Sequence, residues 1–219
     1  MSTTVPAFHI LFAIALFALS VVTTFVVLRL EILDEPNHRS SHDQPTPSTG
    51  GIAIFAAFVC GFATVWFVSD EARLSTFHLV GFAVAATGIA SVGFLDDLRK
   101  LKTFKVKLAA QVAAAMMLLV FGIVFSRVSL PVIGAFDLGW LGYPLTVIWV
   151  VAMTNIFNFM DGLNGLAGGV AVTVAAFLCA VTYIEGSFFV YILCYVMAAS
   201  AAGFLLFNFP KARLFMGDV

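Results

Sequence analysis

Four carboxylates, Asp96, Asp97, Asp161 and Asp218, lie at the ends of long apolar segments of the chain. Strict alternation of those segments across a membrane would bring all four to the same face. Because 62% of the 219 residues are hydrophobic and only 11% are charged, the position of each charge needs a reason. Carboxylates gathered at one membrane face, beside Lys and Arg, are typical of a site for a divalent cation and an anionic substrate. The pattern therefore predicts chemistry on lipid-linked phosphates.

The first motif, "GFLDDLRK" at 93–100, ends an apolar segment with two adjacent acids. Unpaired carbonyls at the carboxyl end of a helix already make the local field negative, and the two carboxylates also repel each other. A cation must compensate. The basic residues from Arg99 to Lys107 could do so as an interfacial anchor. Mg²⁺ could also do so, because proteins usually hold it with one or two carboxylates together with water and substrate phosphates. Both alternatives stay open at this point.

The second motif, "NIFNFMDGLNGLAGG" at 155–169, places polar side chains in an otherwise apolar stretch. Asn155, Asn158 and Asp161 recur at three-residue spacing, which would put them on one face of a helical turn. Alternatively, Asp161 or Asn164 caps the amino end of the next helix, a common role for Asp and Asn. A cap explains one of these residues but not three together. Polar groups that face one direction at a membrane edge favour a ligand pocket.

Two further segments carry groups that could bind phosphate. The ending "NFPKARLFMGDV" offers Lys211, Arg213 and a glycine beside Asp218, although an ordinary basic juxtamembrane segment would look similar. The loop at 31–51 is as rich in Pro, Ser and Gly as a generic linker. It also contains Arg39 and His42, which are donors of the kind found in anion sites.

Seven apolar segments can position these motifs, and each is near the ~17–25 residues that cross a bilayer as a helix. They are 8–28, 52–69, 78–95, 108–126, 141–157, 167–184 and 188–207. The fifth is the weakest, being short and containing Pro144. Long uniform apolar runs lack the alternation of a membrane barrel. We therefore expect an all-α polytopic membrane protein with about seven transmembrane helices, forming one domain over 1–219.

The distribution of basic residues predicts the orientation in the membrane. Alternation of seven spans places nine of the 11 Lys and Arg on one side, and Arg73 and Arg127 on the other. By the positive-inside rule, the side with nine is cytoplasmic and the amino terminus is outside. The catalytic loops are then expected at the cytoplasmic face of a bacterial inner membrane. The three cysteines fall inside apolar segments, without disulfide or metal-ligand spacing.

Taken together and in this order, the motifs resemble those of the polyprenyl-phosphate N-acetylhexosamine-1-phosphate transferase superfamily, also called glycosyl transferase family 4. The matching pieces are "PNHRSSHDQPTPSTGG", "GFLDDLRK", "NIFNFMDGLNGLAGG" and "FNFPKARLFMGDV". The resemblance covers nearly the whole chain. The first piece looks more like the branch that initiates O-antigen or other surface glycans than like phospho-N-acetylmuramoyl-pentapeptide transferase.

The resemblance implies transfer of a sugar-1-phosphate from a UDP-N-acetylhexosamine to polyprenyl phosphate, with release of UMP. It implies a Mg²⁺ cofactor, with Mn²⁺ as an alternative ion. The pair Asp96 and Asp97 would lie near the metal and the lipid phosphate, Asp161 would help line a uridine pocket, and Phe215 would stack on uracil. The implied catalytic residues are Asp96, Asp97, Lys100 and Asp161; the metal ligand is Asp218; the substrate-binding residues are Arg39, His42, Asn158, Asn164, Asn208, Phe215 and Gly217.

Two departures from the family pattern bear on these expectations. Asn164 stands where many members have a second acid, which weakens a catalytic role for this position. Family members also continue beyond the position of Val219 through further spans and a His-containing loop, so we expect the chain to be a fragment. The expected partners are the nucleotide sugar, the polyprenyl phosphate and membrane lipids, with no nucleic acid. A homodimer is compatible with the sequence.

Three rival interpretations remain. A secondary transporter would use membrane carboxylates as relays, but such acids tend to lie near the midplane rather than at span ends. A CDP-alcohol phosphotransferase would need Ala-Arg after its Asp-Gly, whereas Leu163-Asn164 follows Asp161-Gly162 here. A membrane scaffold would leave the four ordered motifs unexplained.

Overall fold

The structure is a computed structural model that describes residues 4–30, 32–34, 45–68, 76–98 and 103–219. Over these residues the chain forms helices at each of the seven expected apolar segments. They are α1 (Thr4–Leu28), α2 (Gly50–Val68), α3 (Thr76–Asp97), α4 (Phe104–Val120), α5 (Gly142–Met160), α6 (Leu166–Ile184) and α7 (Phe188–Asn208). Two short antiparallel pairs complete the structure: β1 (Leu33–Asp34) with β2 (Thr46–Pro47), and β3 (Arg127–Leu130) with β4 (Gly134–Asp137).

Among the described residues, six helices are long and apolar enough to cross a membrane. The protein is therefore an all-α polytopic membrane protein, as expected. The remaining helix, α4, has 17 residues and begins with Lys105 and Lys107 in its first turns. The helix begins four residues before the apolar run. It also ends before the run does, because Gly122, at φ 77°, terminates it. The N–H of Ile123 bonds to the carbonyl of Leu118 at 2.8 Å, as in a Schellman motif.

The fifth segment is the least apolar of the six candidate spans, as expected, but Pro144 does not interrupt its helix. Pro144 lies in the first turn of α5, where a missing backbone N–H costs nothing and the fixed φ suits the helix. The helix continues for 19 residues to Met160. The orientation in the membrane and the placement of the loops in the cytoplasm stay predictions.

The chain divides into two compact units. Unit 1 comprises Met1–Arg73 and Asn158–Val219, and unit 2 comprises Leu74–Phe157. In unit 1, α7 packs against α1, α2 and α6; in unit 2, α3 packs against α4. The expectation of one domain over the whole chain stays a prediction.

Small residues allow α1 and α7 to approach closely in unit 1. Ser20 Oγ donates to the carbonyl oxygen of Ser200 at 2.5 Å, and both residues are fully buried. A Cβ added to Gly203 would lie 2.6 Å from Ser20 Cβ and 2.7 Å from the carbonyl oxygen of Phe17. Small residues at such contacts are typical of membrane helix pairs, which associate by close packing rather than by the hydrophobic effect.

Replacement of Gly203 by Ala tests this contact. The added methyl group overpacks the α1–α7 interface, and we expect a loss of about 1–3 kcal/mol of stability, as for other overpacked cores. Gly169 in α6 is the matched control, because a Cβ there meets nothing within 4 Å. Gly169→Ala is expected to stabilise by up to about 1 kcal/mol through helix propensity. Thermal unfolding in detergent measures both, and equal shifts of the two variants would contradict the packing.

Candidate functional site

Residues 209–219, the C-terminal segment, follow α7 without helix or strand. An irregular segment leaves backbone N–H and C=O groups in need of hydrogen-bond partners, which other parts of the protein or water must provide. The partners come from three other parts of unit 1: the α5–α6 turn, the end of α7, and the start of α2. These contacts hold the segment in a defined conformation.

Asp161, in the turn between α5 and α6, makes two of these contacts. Its Oδ1 accepts the backbone N–H of Met216 at 2.9 Å, and its Oδ2 accepts that of Gly217 at 2.7 Å. The Asp161 residue is only 7% exposed. Hydrogen bonds to an ionised carboxylate are roughly twice as strong as neutral ones. Asp161 therefore fixes the backbone immediately before Asp218.

Asp218 itself is half-buried and lies against Asn158, whose Nδ2 donates to Asp218 Oδ1. Asn158 is near the end of α5 and is exposed, so this pair lies at the protein surface. Gly217 has φ 77°, a left-handed conformation that costs glycine little and a side chain more. The carboxylate of Asp218 thus lies at the surface, on a turn whose backbone is fixed by hydrogen bonds to Asp161.

Two asparagines tie the start of the segment to the bundle. Asn164 Oδ1 accepts the N–H of Ala212 at 3.3 Å. Asn208 Oδ1 accepts the N–H of Gly165 at 2.9 Å, and its Nδ2 donates to the carbonyl of Leu214 at 3.0 Å. Asn208 is 0% exposed, so that its whole side chain is used inside the protein. The nucleotide contact expected of Asn208 stays a prediction.

The start of α2 holds the other side of the segment. The N–H of Gly50 bonds to the carbonyl of Phe215 at 2.9 Å, and that of Gly51 bonds to the carbonyl of Met216 at 2.6 Å. The N–H of Phe215 in turn bonds to the carbonyl of Pro47 at 2.8 Å. Carbonyls of the C-terminal segment thus take the place of a side-chain cap on the helix.

The sequence reasoning missed Gly50 and Gly51, treating them as part of a linker. A Cβ on Gly51 would lie 2.9 Å from the carbonyl carbon of Val219 and 3.0 Å from the oxygen of Met216. A Cβ on Gly50 would lie 2.8 Å from the oxygen of Phe215. All three are backbone atoms, which cannot move aside as a flexible side chain would. A Gly-Gly pair directly before an apolar run could have indicated that another part of the backbone packs closely against the start of this helix.

Phe215 is 3% exposed, since its ring packs inside the protein. Stacking on uracil would require the ring to leave this packing, and the stacking role stays a prediction. The segment is supported from below by a buried cluster of Ile54, Phe204 and Leu214, with Met216 packed against it. The core of unit 1 therefore extends directly beneath the turn that carries Asp218.

Of the three residues expected on one helical face, Asn155 and Asn158 lie three residues apart within α5, whereas Asp161 does not belong to the helix. Asn155 Nδ2 donates to Gln111 Oε1 and to the carbonyl of Val151, both at 2.7 Å, within unit 2. Asp161 lies beyond the end of α5. The capping alternative is also wrong, because Gly165 is the N-cap of α6 and no side chain caps it.

The acid pair lies in unit 2, in the last turn of α3. Lys107 Nζ is 3.2 Å from Asp96 Oδ2, with side chains that are 20% and 29% exposed, respectively. A cation from the basic run thus compensates part of the negative charge at this helix end.

Three of the expected site residues, Arg39, His42 and Lys100, lie outside the described residues. Within the part of the chain that the structure describes, no cluster of three or more His, Cys, Asp or Glu could hold a metal ion. The residues still fit Mg²⁺, because this ion often takes one or two carboxylates and completes its shell with water and phosphate. Asp218 is a carboxylate of that kind, fixed in place at the surface.

The sequence is similar to those of known proteins. Residues 79–219 match the profile of glycosyl transferase family 4. The chain is 34% identical over 211 residues to a probable undecaprenyl-phosphate N-acetylglucosaminyl 1-phosphate transferase of Bacillus subtilis, covering 94% of this chain and 57% of that protein. It is 27% identical over 199 residues to undecaprenyl-phosphate alpha-N-acetylglucosaminyl 1-phosphate transferase of Escherichia coli K12, covering 88% and 52%.

A third relative comes from the peptidoglycan branch. Phospho-N-acetylmuramoyl-pentapeptide-transferase of Clostridium perfringens is 34% identical over 177 residues, which is 79% of this chain and 55% of that protein. The chain therefore spans about half the length of the curated relatives it matches.

Asp161→Asn tests how the turn before Asp218 is held. The amide offers one acceptor oxygen where the carboxylate offers two, and its NH₂ group would face a backbone N–H. Hydrogen bonds to charged groups contribute about 1.5–3 kcal/mol, so we expect amide exchange at Met216 and Gly217 to accelerate by about tenfold to a hundredfold. Hydrogen exchange with mass spectrometry measures this. Glu185→Gln, which alters an exposed acid at the other end of α6, is the control, and unchanged exchange in Asp161→Asn would refute the contact.

Lys107→Met tests the ion pair at the acid pair. Without the ammonium group, the two carboxylates repel each other at a helix end, so the last turn of α3 should open more often. Because the pair is partly exposed, we expect a loss of at most about 1 kcal/mol, or up to about fivefold faster exchange at the amide of Leu98. Lys105→Met is the matched control two residues away. Equal effects of the two variants would show that the ion pair does not stabilise this turn.

Proposed function

The chain belongs to glycosyl transferase family 4, and on this basis we propose that it is part of an enzyme that transfers an N-acetylhexosamine-1-phosphate to polyprenyl phosphate. The observation that carries the proposal is the fixed surface carboxylate of Asp218, held by Asn158 and by the backbone contacts of Asp161. Transfer of phosphoryl groups depends mostly on positioning and on neutralising charge, which a rigid carboxylate and an ion can provide.

The proposed donor is a UDP-linked N-acetylhexosamine. An oxygen of the polyprenyl phosphate attacks the phosphorus that bears the sugar, the bond from that phosphorus to the bridging oxygen breaks, and UMP leaves. The products are a polyprenyl diphosphate sugar and UMP. A lipid phosphate stays at the membrane surface, so the reacting groups must be there too. In support of this, Asp96 and Asp97 lie in the last turn of α3, and Asp161 and Asp218 follow the ends of α5 and α7. With α4 as a seventh span, alternation brings all four to one face.

The proposal separates positioning residues from residues that contact substrate. Asp161 acts through the backbone of Met216 and Gly217, and Asn208 acts through Gly165 and Leu214. Asp218 would hold Mg²⁺, or Mn²⁺ as an alternative, and the bound ion would neutralise charge on the diphosphate. Asn158 orients the Asp218 carboxylate for this role.

For the acid pair we propose a role with the lipid phosphate. Asp96 or Asp97 would accept the proton of that phosphate and so favour direct attack on the donor. A double displacement, in which a carboxylate attacks first and forms an acyl phosphate, is the alternative. We favour the single displacement because two positioned phosphates need no covalent intermediate.

The donor sugar and the cellular location are inferred from the sequence and from the relatives. The "RSSHDQPTPSTGG" loop favours a surface-glycan branch, and two relatives are N-acetylglucosaminyl 1-phosphate transferases. With α4 counted as a seventh span, nine of the 11 basic residues lie on one side, which favours a cytoplasmic active face in a bacterial inner membrane. A transporter finds less support, because none of the acids in the described ranges lies in the middle of a helix.

Asp218→Asn tests the function directly. We expect UMP release from a UDP-N-acetylhexosamine, in membranes supplied with polyprenyl phosphate and Mg²⁺, to fall by at least about a hundredfold, since each 1.36 kcal/mol of lost transition-state stabilisation is tenfold in rate. Membrane insertion should be unchanged, because Asp218 lies outside the helices.

The matched control is Asp137→Asn, which removes a carboxylate from the β3–β4 pair of unit 2. Its UMP release should equal that of the parent protein. Normal Mg²⁺-dependent release by Asp218→Asn would remove Asp218 from the metal site. Absence of UMP release by the parent protein with every N-acetylhexosamine donor would contradict the proposed reaction.

A further inference from the structure

The segment between α4 and α5 forms a two-faced hairpin. In the register of β3 and β4, Val128 lies opposite Phe136 and Ser129 lies opposite Ala135. Because side chains alternate across a strand, Val128, Leu130 and Phe136 share one face. The other face carries Ser129, Ala135 and the ion pair of Arg127 with Asp137 at 2.9 Å. The hairpin therefore has an apolar face and a polar face, and both are largely solvent-exposed in unit 2.

The tip of the hairpin is apolar where turn chemistry favours polar residues. Val132 is fully exposed and Ile133 is 74% exposed. Val132 has φ 76°, a left-handed conformation that is unusual for a β-branched residue and strains the backbone. Asn or Gly would adopt this conformation with less strain, and neither would expose an apolar side chain to water. A strained, exposed Val at the tip indicates that its apolar side chain has a partner.

The base of the hairpin is fixed to α5. The N–H of Phe125 donates to Thr146 Oγ1 at 3.0 Å, and Thr146 is buried. The carbonyl of Phe125 packs directly on Gly142, where a Cβ would come within 3.1 Å of its carbonyl carbon. The Phe125 ring meets Trp149 edge to face, with centroids 5.9 Å apart. These contacts keep the hairpin from swinging freely on its linkers.

The same attachment keeps the hairpin near the bilayer. The candidate membrane span of α5 begins at Gly139, two residues after β4 ends at Asp137. Two residues of extended chain reach roughly 7 Å. Trp140 and Tyr143, both exposed, stand at this boundary, where aromatic residues are enriched. A two-stranded ribbon cannot enter the hydrocarbon, because its outer edges would lack partners for their hydrogen bonds.

We propose that the hairpin lies on the membrane and binds phospholipid. Val128, Leu130 and Phe136 face the bilayer, the Val132–Ile133 tip enters the boundary between headgroups and acyl chains, and the polar face points to water. Amphipathic elements of this kind sink about 5–10 Å into the boundary. The ion pair of Arg127 with Asp137 leaves the hairpin without net charge, so that zwitterionic lipid suffices. The hairpin would thereby set the depth of α5 in the bilayer.

Single-cysteine labelling in nanodiscs tests the proposal. In protein lacking Cys60, Cys179 and Cys194, a fluorescent probe is attached at one of four positions in turn. Val132→Cys and Phe136→Cys report the tip and the apolar face, and Ser129→Cys and Ala135→Cys are the matched controls on the polar face. The nanodiscs contain phosphatidylcholine with a spin label near the headgroup, and iodide is the quencher in water.

We expect the spin-labelled lipid to quench the probes at 132 and 136 severalfold more than those at 129 and 135, with the order reversed for iodide. Raised salt should leave this difference unchanged. Equal iodide quenching at all four positions would place the hairpin in water and overturn the proposal. Protection of 132 and 136 from both quenchers would also overturn it, because protein rather than lipid would then cover the apolar face.

Discussion

The hydrogen-bonding demand of an irregular segment beside a membrane governs the site in unit 1. Residues 209–219 form neither helix nor strand, so their backbone N–H and C=O groups need hydrogen-bond partners from other segments or from water. The carboxylate of Asp161 accepts two backbone N–H groups of the segment. On the other side, the first N–H groups of α2 donate to carbonyls of the segment. All of these hydrogen bonds involve backbone groups within three residues of Asp218. Backbone hydrogen bonds, rather than a cluster of acidic residues, therefore fix the position of the proposed metal ligand.

This arrangement assigns different tasks to residues that look alike in sequence. Asp161 and Asp218 are both carboxylates at helix ends, yet the first is buried and accepts backbone N–H groups, while the second is half-buried beside an exposed amide. Asn208, fully buried, serves the fold, whereas Asn158 reaches the surface. The cluster of Ile54, Phe204 and Leu214 beneath the segment adds apolar packing to the hydrogen bonds.

Apolar runs predicted the helices because a membrane span needs length and little else, and the structure has a helix at each run. The ends of the helices were harder to predict: α4 begins after Thr103, four residues before its apolar run, and Gly122 ends it before the run does. The β3–β4 hairpin was missed, since four-residue strands give too short an alternation to stand out. Motifs identified Asp161 and Asn208, but not the atoms that they bind. Those atoms are backbone groups distant in sequence, such as the N–H of Met216, and no residue type marks them.

The account depends most on the contact between the start of α2 and residues 209–219, and hydrogen exchange at the first amides of α2 measures it directly. The N–H groups of Gly50 and Gly51 donate to the carbonyls of Phe215 and Met216 at 2.9 and 2.6 Å. In Gly51→Ala, the added Cβ would lie 2.9 Å from the carbonyl carbon of Val219 and push the segment away. We expect the amides at positions 50 and 51 to exchange about tenfold faster in this variant, as the loss of a hydrogen bond of about 1.5 kcal/mol predicts. In Gly169→Ala, where the added Cβ meets nothing within 4 Å, they should exchange as in the parent protein. Equal exchange in all three proteins would contradict the arrangement that places Asp218.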